Sequence, residues 1–476
     1  MSGTELRERV EREDLVMFIN ACFSCTGQSE FYGTDFQQSV SIGFLHRYIL
    51  GNYRRLYART LAAGVNHFNQ ARIVVNLLAS GAPREPENRA EEGRLIQAAL
   101  RRLPPPRAMR ALEQLREGGI NNRRSRAVVR DYLASRPDPA FDAVKYRGKV
   151  RALAVHNHLR FGDERNRFLF RGWQERKYDT ELFETFRRAH YTEEDIYRLP
   201  YTVAEGLAAR RGVPRERFLS KIQGQLTRAE QLRIEGATKA AGISSYEADL
   251  SRISLTKLAT YLLGLAPQER ASQRARLQKG LRSAAARAYR RAPRKLGHVA
   301  AVLDRSYSTS GSSEKRRRPL AVALAVSQLL DVAAERYERF WTTSLEDELL
   351  VTPRGQTDLA GPLVQALESR PDLVVIVSDG FDNAPPSGAA EITRVFRSRL
   401  DPEHRTSIVH VNPVFDAESF APKGIGPHVP TVGLRDAEDL LTVLGFARFA
   451  EGSEPLSALE SYLAERSREL LSELSA

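Results

Sequence analysis

The chain has 476 residues, of which 42% are hydrophobic and 28% are charged, a composition typical of a globular protein with two or more domains. No run of about 18 apolar residues occurs, which argues against a membrane-spanning helix, and the charged start MSGTELRERVERED lacks the apolar core of a signal peptide. Two cysteines in so long a chain are typical of a reducing compartment. We therefore expect a cytoplasmic protein with no membrane contact, and we expect a monomer.

Positive charge is concentrated in the first part of the chain. Residues 1–295 carry 54 Lys and Arg against 32 Asp and Glu, whereas residues 296–476 carry 18 against 27. The net charge of +13 therefore arises entirely from residues 1–295. A basic surplus of this size is typical of a surface that binds a polyanion, so we expect residues 1–295 to bind nucleic acid. The alternative is a solvated arginine-rich surface.

Residues 1–295 show the apolar spacing of α-helices. Leu255, Leu258, Leu262 and Leu265 recur every three or four residues, as the apolar face of a helix does. Proline-rich segments such as Pro104–Pro106 separate these patterns, and alternating β patterns are scarce. We predict a mostly α-helical domain over residues 1–295, built as an array of helix pairs in a HEAT-like repeat.

The pattern changes after residue 295, where short apolar runs alternate with helical segments. The apolar runs are HVAAVL (298–303), ELLV (348–351), LVVIV (373–377), SIVHV (407–411) and VPTVGL (429–434). The helical segments span 319–337, 359–369, 387–400 and 436–448. Near-continuous apolar strands that alternate with helices indicate a parallel sheet covered on both faces. We therefore predict a doubly wound α/β domain over residues 296–476.

Polar side chains follow two of the predicted strands and precede a predicted helix. Asp304, Ser306 and Ser308 come directly after the first strand, Thr357 lies before the helix at 359–369, and Asp379 follows LVVIV. Ligands of parallel sheets bind beyond the carboxyl ends of the strands, so these side chains are expected to converge. Two carboxylates and three hydroxyls suit Mg²⁺ or Mn²⁺ better than zinc. Because Mg²⁺ takes six oxygens, water or the carboxylate of an acidic protein partner must complete the shell.

The order and spacing of Asp304-x-Ser306-x-Ser308, Thr357 and Asp379 resemble the metal-ion-dependent adhesion site of a von Willebrand factor type A domain. The resemblance covers residues 296 to about 450. It implies that the three residues of the first loop contact the ion, that Thr357 supplies a hydroxyl, and that Asp379 ligates directly or through water. The alternative is an intact motif that holds no ion, with both aspartates capping loops.

A large helical domain followed by such an α/β domain resembles the architecture of Ro-type proteins, whose helical-repeat TROVE module binds RNA. The stretch LVMFINACFSCTGQSEFYG at 15–33 is similar to a segment near the start of that module. The resemblance implies a ribonucleoprotein that binds small non-coding or misfolded RNA, either structured or single-stranded.

Candidate RNA contacts come from two clusters of charge. Phosphate contact needs clustered cations, and an aromatic ring among them can stack on a base. For each arginine the alternative is solvent exposure or pairing with a neighbouring glutamate. The candidates are Arg123, Arg124, Arg126, Arg282, Arg287, Tyr289, Arg290 and Arg291.

These patterns favour a non-enzymatic RNA-binding protein that also binds a protein partner through Mg²⁺. One alternative is a metal-dependent interaction scaffold, for instance an adaptor for an AAA-type ATPase, that binds no RNA. A metal-dependent hydrolase is a further alternative, although the site has no dedicated general base.

Two further features have less specific interpretations. Cys22 and Cys25 form a CxxC pair without a second pair to complete a zinc site, and we predict two buried or partly buried thiols. The basic run Lys315–Arg318 follows the first metal loop and could attract an acidic partner, or it could be a solvated turn.

Overall fold

The computed structural model describes residues 3–240, 249–452 and 454–473. The chain separates into two units, of which one joins Met1–Ile73 to Ile253–Ala476 and the other is Val74–Arg252. The boundary predicted at residue 295 lies inside the first unit, because helices on both sides of that residue pack around the same sheet. Within the described ranges, no helix is both long enough and apolar enough to cross a membrane.

Five parallel strands form one sheet in the first unit, with the order β2-β1-β3-β4-β5. The strands are β1 (Leu296–Leu303), β2 (Ala334–Trp341), β3 (Leu373–Val377), β4 (Ser407–Asn412) and β5 (Thr431–Gly433). Strands β1, β3 and β4 are almost fully buried, as expected where helices cover both faces of a sheet. The predicted combination of a helical part with a C-terminal parallel sheet is confirmed.

The second strand lies elsewhere than predicted. The run ELLV was expected as a strand, but Glu348–Leu350 forms a 3-10 turn. The strand is instead AERYERFW, Ala334–Trp341, which had been assigned in part to a helix ending at residue 337. Because β2 is at the edge of the sheet and half exposed, charged residues interrupt its aromatic ones, and it lacks the continuous apolar character of a central strand.

The helices are numbered in chain order. The N-terminal helices are α1 (Gly3–Ser24), α2 (Asp35–Asn52), α3 (Arg54–Arg59) and α4 (His67–Ala79). The next ten are α5 (Pro86–Arg102), α6 (Pro105–Glu117), α7 (Arg123–Ala134), α8 (Pro139–Lys145), α9 (Arg147–His156), α10 (Asp163–Arg171), α11 (Glu181–Arg188), α12 (Tyr201–Arg210), α13 (Arg215–Ile222) and α14 (Arg228–Ala240). The C-terminal helices are α15 (Leu255–Gly264), α16 (Pro267–Ser272), α17 (Arg274–Arg291), α18 (Arg318–Ala333), α19 (Ala360–Glu368), α20 (Gly388–Val395), α21 (Leu440–Glu451) and α22 (Leu456–Ser472).

Helices that precede residue 295 complete the sheet unit. Helices α15 and α17 pack against α18, which in turn packs against β1 and β2. At the opposite edge, α1 packs against β5 through the side chain of Asn20. Its Nδ2 donates to the Thr431 carbonyl at 2.7 Å, and its Oδ1 accepts from the Gly433 N–H at 2.5 Å. Asn20 thus supplies the bonds that a sixth strand would make, and it protects the exposed edge of the sheet.

The contact between α1 and β5 yields a stability prediction. A Cβ at Gly433 would lie 2.6 Å from the Asn20 carbonyl oxygen and 2.8 Å from Ser24 Oγ. We expect Gly433→Ala to lower the free energy of unfolding by about 1–3 kcal/mol, because backbone must move to relieve the overlap. Urea denaturation followed by circular dichroism measures the change.

Gly445 provides the matched control. It lies within α21, and a Cβ there would meet no described atom within 4 Å. Gly445→Ala should leave stability unchanged or raise it by up to about 1 kcal/mol, because alanine favours the helix. Equal urea midpoints for Gly433→Ala and the parent protein would contradict the packing of α1 on β5.

Candidate metal centre

The carboxyl ends of β1 and β3 form the centre of the candidate site. From β1 the sheet continues to β2 on one side and to β3, β4 and β5 on the other, so the strand order reverses between β1 and β3. Ligands of open parallel sheets bind at this crevice. Asp304 follows β1 directly, Asp379 follows β3 after one residue, and the Asp304 N–H donates to the Val377 carbonyl at 3.0 Å.

The loop after β1 folds so that its three predicted ligands meet. The Ser306 N–H donates to Asp304 Oδ1 at 2.8 Å, and the Ser306 hydroxyl donates to Oδ2 at 3.0 Å. The hydroxyl oxygens of Ser306 and Ser308 are 3.2 Å apart, and all three residues are buried. Arg305, which lies between Asp304 and Ser306 in the sequence, points away and donates from Nε to the Thr352 carbonyl at 3.2 Å. Candidate ligands therefore alternate along the loop with a structural residue: Asp304 and Ser306 meet at the site, whereas the side chain of Arg305 bonds to the neighbouring backbone.

Hydrogen bonds hold Thr357 between the loops that follow β1 and β3. Its N–H donates to Asn383 Oδ1 at 3.2 Å, and its carbonyl accepts from the Asn383 N–H at 3.2 Å. Two residues earlier, the Gly355 carbonyl accepts from the Tyr307 N–H at 3.1 Å. Thr357 is itself buried. The five predicted metal ligands therefore lie at one end of the sheet, on loops that are bonded to one another.

The two aspartates are buried and oppose each other's ionisation. Burial raises the pKa of Asp304 to about 7, and the nearby charge of Asp379 contributes to the rise. Burial also raises the pKa of Asp379, against the effects of the Ser308 hydroxyl and the Lys423 ammonium group. Asp379 Oδ1 accepts from the Phe381 N–H at 3.1 Å, whereas the buried Oδ2 has no well-formed hydrogen bond within the described residues. A cation at this point would stabilise both carboxylates.

The donor set fits a hard divalent cation. Carboxylate and hydroxyl oxygens are the ligands that Mg²⁺ and Mn²⁺ prefer. Across the described ranges, no group of three or more His, Cys, Asp or Glu side chains is arranged to hold a metal ion. An ion here would therefore take part of its shell from hydroxyls, water and an external ligand. The residues that would hold it are Asp304, Ser306, Ser308, Thr357 and Asp379.

The loop between α1 and α2 lies beside this centre, and no periodicity or motif in the sequence predicts that position. The ring of Tyr32 is 4.3 Å from the ring of Phe381, two residues after Asp379. Glu30 is buried and forms an ion pair with Lys315. The sequence singles out this loop only through the similarity of residues 15–33 to a TROVE segment, and in the structure its aromatic residues are unusually exposed, with Tyr32 54% exposed.

A cleft of about 260 Å³ opens next to Asp379. Its walls include Tyr32, Phe381 and Lys423, together with the carboxylates of Glu30, Asp379, Asp416 and Glu418. The ammonium nitrogen of Lys423 lies 3.4 Å from the centre of the Phe381 ring, and it forms no ion pair with any described residue. A carboxylate that entered this cleft would meet one cation, Lys423, whose charge also acts on Asp379, and it would be repelled by the carboxylates in the walls. A metal ion at the candidate position would therefore have to supply the attraction.

The basic run after the first loop is mostly structural. Lys315 pairs with the buried Glu30, Arg317 donates from Nη1 to the Leu263 carbonyl, and Arg318 pairs with Asp436 at 2.5 Å. Arg316 is exposed. The attraction of a partner by this run is therefore limited largely to Arg316.

The candidate RNA contacts fall into two groups in different units. Arg123, Arg124 and Arg126 begin α7, but Arg124 points to Glu92 and binds it at 2.5 Å, whereas the other two are exposed. The remaining candidates lie on α17, and the helix turns them to different sides: Arg282 and Tyr289 share one face, while Arg291 is opposite.

Arg287 has a structural role on the same helix. It donates from Nη2 to the Ile253 carbonyl at 2.6 Å and from Nη1 to the Ser283 carbonyl at 3.0 Å. The α17 residues therefore do not form a single cluster in space, although they are close in sequence.

The CxxC cysteines are buried, as predicted. Burial raises the pKa of Cys25 to about 12 and that of Cys22 well above its ordinary value. Both are therefore protonated thiols at neutral pH and poor nucleophiles or metal ligands.

The raised pKa values of the two aspartates predict a pH-dependent effect of metal on stability. In an unfolded chain Asp304 titrates near 3.8, but in the folded metal-free protein its pKa is about 7. Stability from this group is thus fully present below about pH 4 and is lost as the pH rises toward 7. In the presence of EDTA, we expect the melting temperature to fall between about pH 5 and pH 8. Excess Mg²⁺ should raise it more at pH 8 than at pH 5, because the ion binds the ionised carboxylates.

Two variants make this measurement specific. Asp304→Asn should abolish the Mg²⁺ effect and, at about pH 8 with EDTA, should melt at a higher temperature than the parent because it carries no buried charge. Asp331→Asn, at an exposed position on α18, makes the same chemical change away from the site and should behave as the parent does. An undiminished Mg²⁺ effect in Asp304→Asn would contradict the assignment.

Comparison with known proteins adds no assignment to this geometry. No family model matches the chain, and no curated protein is significantly similar to it. The functional conclusions below therefore depend on the residues, their distances and their charges.

Proposed function

We propose that this chain is a non-enzymatic binding protein that recognises an acidic protein partner through a bound Mg²⁺ or Mn²⁺. The observation that carries the proposal is the pair of buried aspartates at the strand-order reversal, one of which has an oxygen without a hydrogen-bond partner in the described residues. When bound, the ion supplies positive charge and a coordination position for an external oxygen. Asp304 and Asp379 hold it, and the three hydroxyls complete the protein's share of the shell.

The position of the site supports a von Willebrand factor type A-like assignment for residues 296–476. The candidate ligands come from the loops after β1 and β3 and from the loop before α19. The sheet that positions these loops is parallel, with the strand order β2-β1-β3-β4-β5. Each loop is bonded to its neighbour, so the ligand atoms are held before any ion binds. Such preorganisation reduces the cost of binding.

The ion itself favours a carboxylate as the external ligand. Lys423 adds one positive charge in the adjacent cleft, whose walls also carry carboxylates, and Tyr32 and Phe381 provide an aromatic wall. A glutamate or aspartate of a partner would therefore pair with the ion at one side and lie near Lys423 at the other. Aromatic residues at the rim suit a protein ligand, because they bury large area at low entropic cost.

We also propose that the helical part binds RNA, as a TROVE-like domain of HEAT-like repeats would. The unit Val74–Arg252 carries 35 Lys and Arg against 24 Asp and Glu, which accounts for 11 of the 13 net positive charges of the chain. Small structured or single-stranded RNA is the polyanion that the resemblance favours. Binding of this kind weakens steeply with salt, because phosphate contacts release counterions.

The second candidate is a metal-dependent scaffold, such as an adaptor for an AAA-type ATPase, without RNA binding. The same metal ligands favour it, and the basic unit would then bind an acidic protein. A hydrolase fits less well. His410 lies beside the site and bonds to the Ser378 hydroxyl at 2.9 Å, but both are buried and the pKa of His410 is lowered by burial to about 4. Neither group is accessible to a substrate as a general base.

A chelation experiment tests the metal-dependent recognition. The protein, immobilised in Mg²⁺ buffer and exposed to an extract of its own cells, should retain a partner that EDTA elutes. Asp304→Asn should retain at least about tenfold less of it, a loss expected when a charged ligand group is removed from a binding site, and Asp331→Asn should retain as much as the parent. Retention that survives EDTA would contradict the proposal.

The nature of the co-purifying material separates the two candidates. If the helical part binds RNA, protein isolated from its own cells at low salt should carry nucleic-acid absorbance that ribonuclease removes. The RNA should dissociate progressively as salt is added, because phosphate contacts dominate the affinity. A stoichiometric protein without nucleic acid would instead favour the scaffold.

A further inference from the structure

A groove of about 690 Å³ in the unit Val74–Arg252 is lined by several positively charged side chains. It lies between α7, the turn after α9 and the start of α10. No Asp or Glu is among the described residues that line it. We call it the arginine groove, after the five arginines that line it, Arg123, Arg126, Arg130, Arg160 and Arg165.

Local structure places these arginines on facing walls. Asn122 caps α7 through a reciprocal pair of bonds with Ser125, so that Arg123, Arg126 and Arg130 follow at helical spacing along one face. On the other wall, the chain turns sharply after α9 at His158, which has a φ of 53°. The turn brings Arg160 and Arg165 toward α7.

Arg165 has no ion pair with any described residue, although the charge of Asp142 acts on it. Its guanidinium carbon lies 4.1 Å from the centre of the Phe161 ring, which fixes the orientation of the guanidinium plane. Its Nε and Nη2 are buried and have no hydrogen-bond acceptor within the described residues. A buried donor without a partner costs about 1–3 kcal/mol, and more when the group is charged. The Nε and Nη2 hydrogens of Arg165 therefore need an acceptor from a bound ligand.

Other arginines of the same unit contrast with Arg165. Arg136 binds Asp142 at 2.5 Å, and Arg188 binds Asp195 at 2.6 Å. In the groove only Arg130 has an ion pair with a described residue, its neighbour Asp131 at 2.9 Å, where Arg130 is well exposed to solvent. The unit thus pairs many of its arginines internally, whereas four arginines around one groove have no ion pair with a residue that the structure describes.

We propose that the arginine groove binds the phosphodiester backbone of a single RNA strand, with Arg165 contacting one phosphate and Arg123 and Arg126 contacting the next. The proposal rests on the proposed RNA-binding function and locates it. Guanidinium groups match phosphate oxygens in pairs, and several cations around one groove suit a ligand that carries a charge at every residue. The volume of the groove lies in the range of sites that hold a ligand of nucleotide size.

Fluorescence anisotropy with a labelled single-stranded RNA oligonucleotide tests the proposal on the full chain. Arg123→Gln/Arg126→Gln changes two exposed positions, so folding should be unaffected. It should weaken binding at least about tenfold and reduce the slope of log affinity against log salt by about 1.4, which corresponds to two lost phosphate contacts. Arg107→Gln/Arg176→Gln, exposed arginines of the same unit outside the groove, should leave the affinity within about twofold, since they remove the same charge without a contact.

Arg165→Lys tests the specific role of the guanidinium. Lysine keeps the charge but loses the fork and the stacking on Phe161, so RNA binding should fall about tenfold while the melting temperature stays near that of the parent. Inorganic phosphate and a nucleoside 5′-monophosphate should compete only weakly, because each supplies a single phosphate.

The outcomes distinguish the assignment of the groove from RNA binding by the chain as a whole. If the parent binds RNA and both groove variants bind it equally well, the groove assignment is wrong and RNA binding stands. If the parent binds no RNA at low salt, the RNA function and the assignment both fail. If the mononucleotide or phosphate binds the parent tightly and RNA does not, the groove is an anion site for a small ligand, and the RNA assignment is overturned.

Discussion

The burial of Asp304 and Asp379 at one end of the sheet is the constraint on which the proposed chemistry of this protein depends. Parallel strands bring both carboxylates to the same end of the sheet, beyond the carboxyl ends of β1 and β3, and burial raises the pKa of each. Keeping Asp304 ionised above pH 7 costs roughly 4 kcal/mol relative to an unfolded chain in which it titrates near 3.8. A divalent cation removes this cost and gives a reason for two buried acids to lie together. Without a cation, the same arrangement would only reduce stability at neutral pH.

Residues far apart in the chain hold this centre in place. The loop between α1 and α2 contributes Tyr32 and the ion pair from Glu30 to Lys315, and α1 closes the edge of the sheet through Asn20. These contacts make residues 1–73 part of the sheet unit, so the metal face and its aromatic rim are formed by both ends of the chain. The unit Val74–Arg252 has a different chemistry, because most of the net positive charge and the arginine groove belong to it. Under the proposed functions, the chain would combine recognition by a metal ion in one unit with recognition by guanidinium groups in the other.

Much of the sheet, and the placement of the candidate metal ligands at one end of it, could be predicted from the sequence, because both depend on local patterns. Strands β1, β3 and β4 are largely apolar runs, and four of the five candidate ligands follow β1 or β3 at short spacing. Strand β2 could not be recognised in this way, since an edge strand keeps charged residues on its exposed side.

Long-range contacts explain the other differences. The apolar residues of α1 show that it is buried, but not that its partner is a strand 411 residues away. The arginines of α17 cluster in sequence and separate in space, because successive helical residues point in different directions. Arg165 lies outside the sequence clusters, and only its buried, unpartnered nitrogens distinguish it. The most direct test of the metal centre is anomalous diffraction from crystals grown with Mn²⁺. We expect one peak per chain, within coordination distance of Asp304 and the Ser306 and Ser308 hydroxyls. Crystals with Mn²⁺ bound only elsewhere, or with no peak between Asp304 and Asp379, would contradict it.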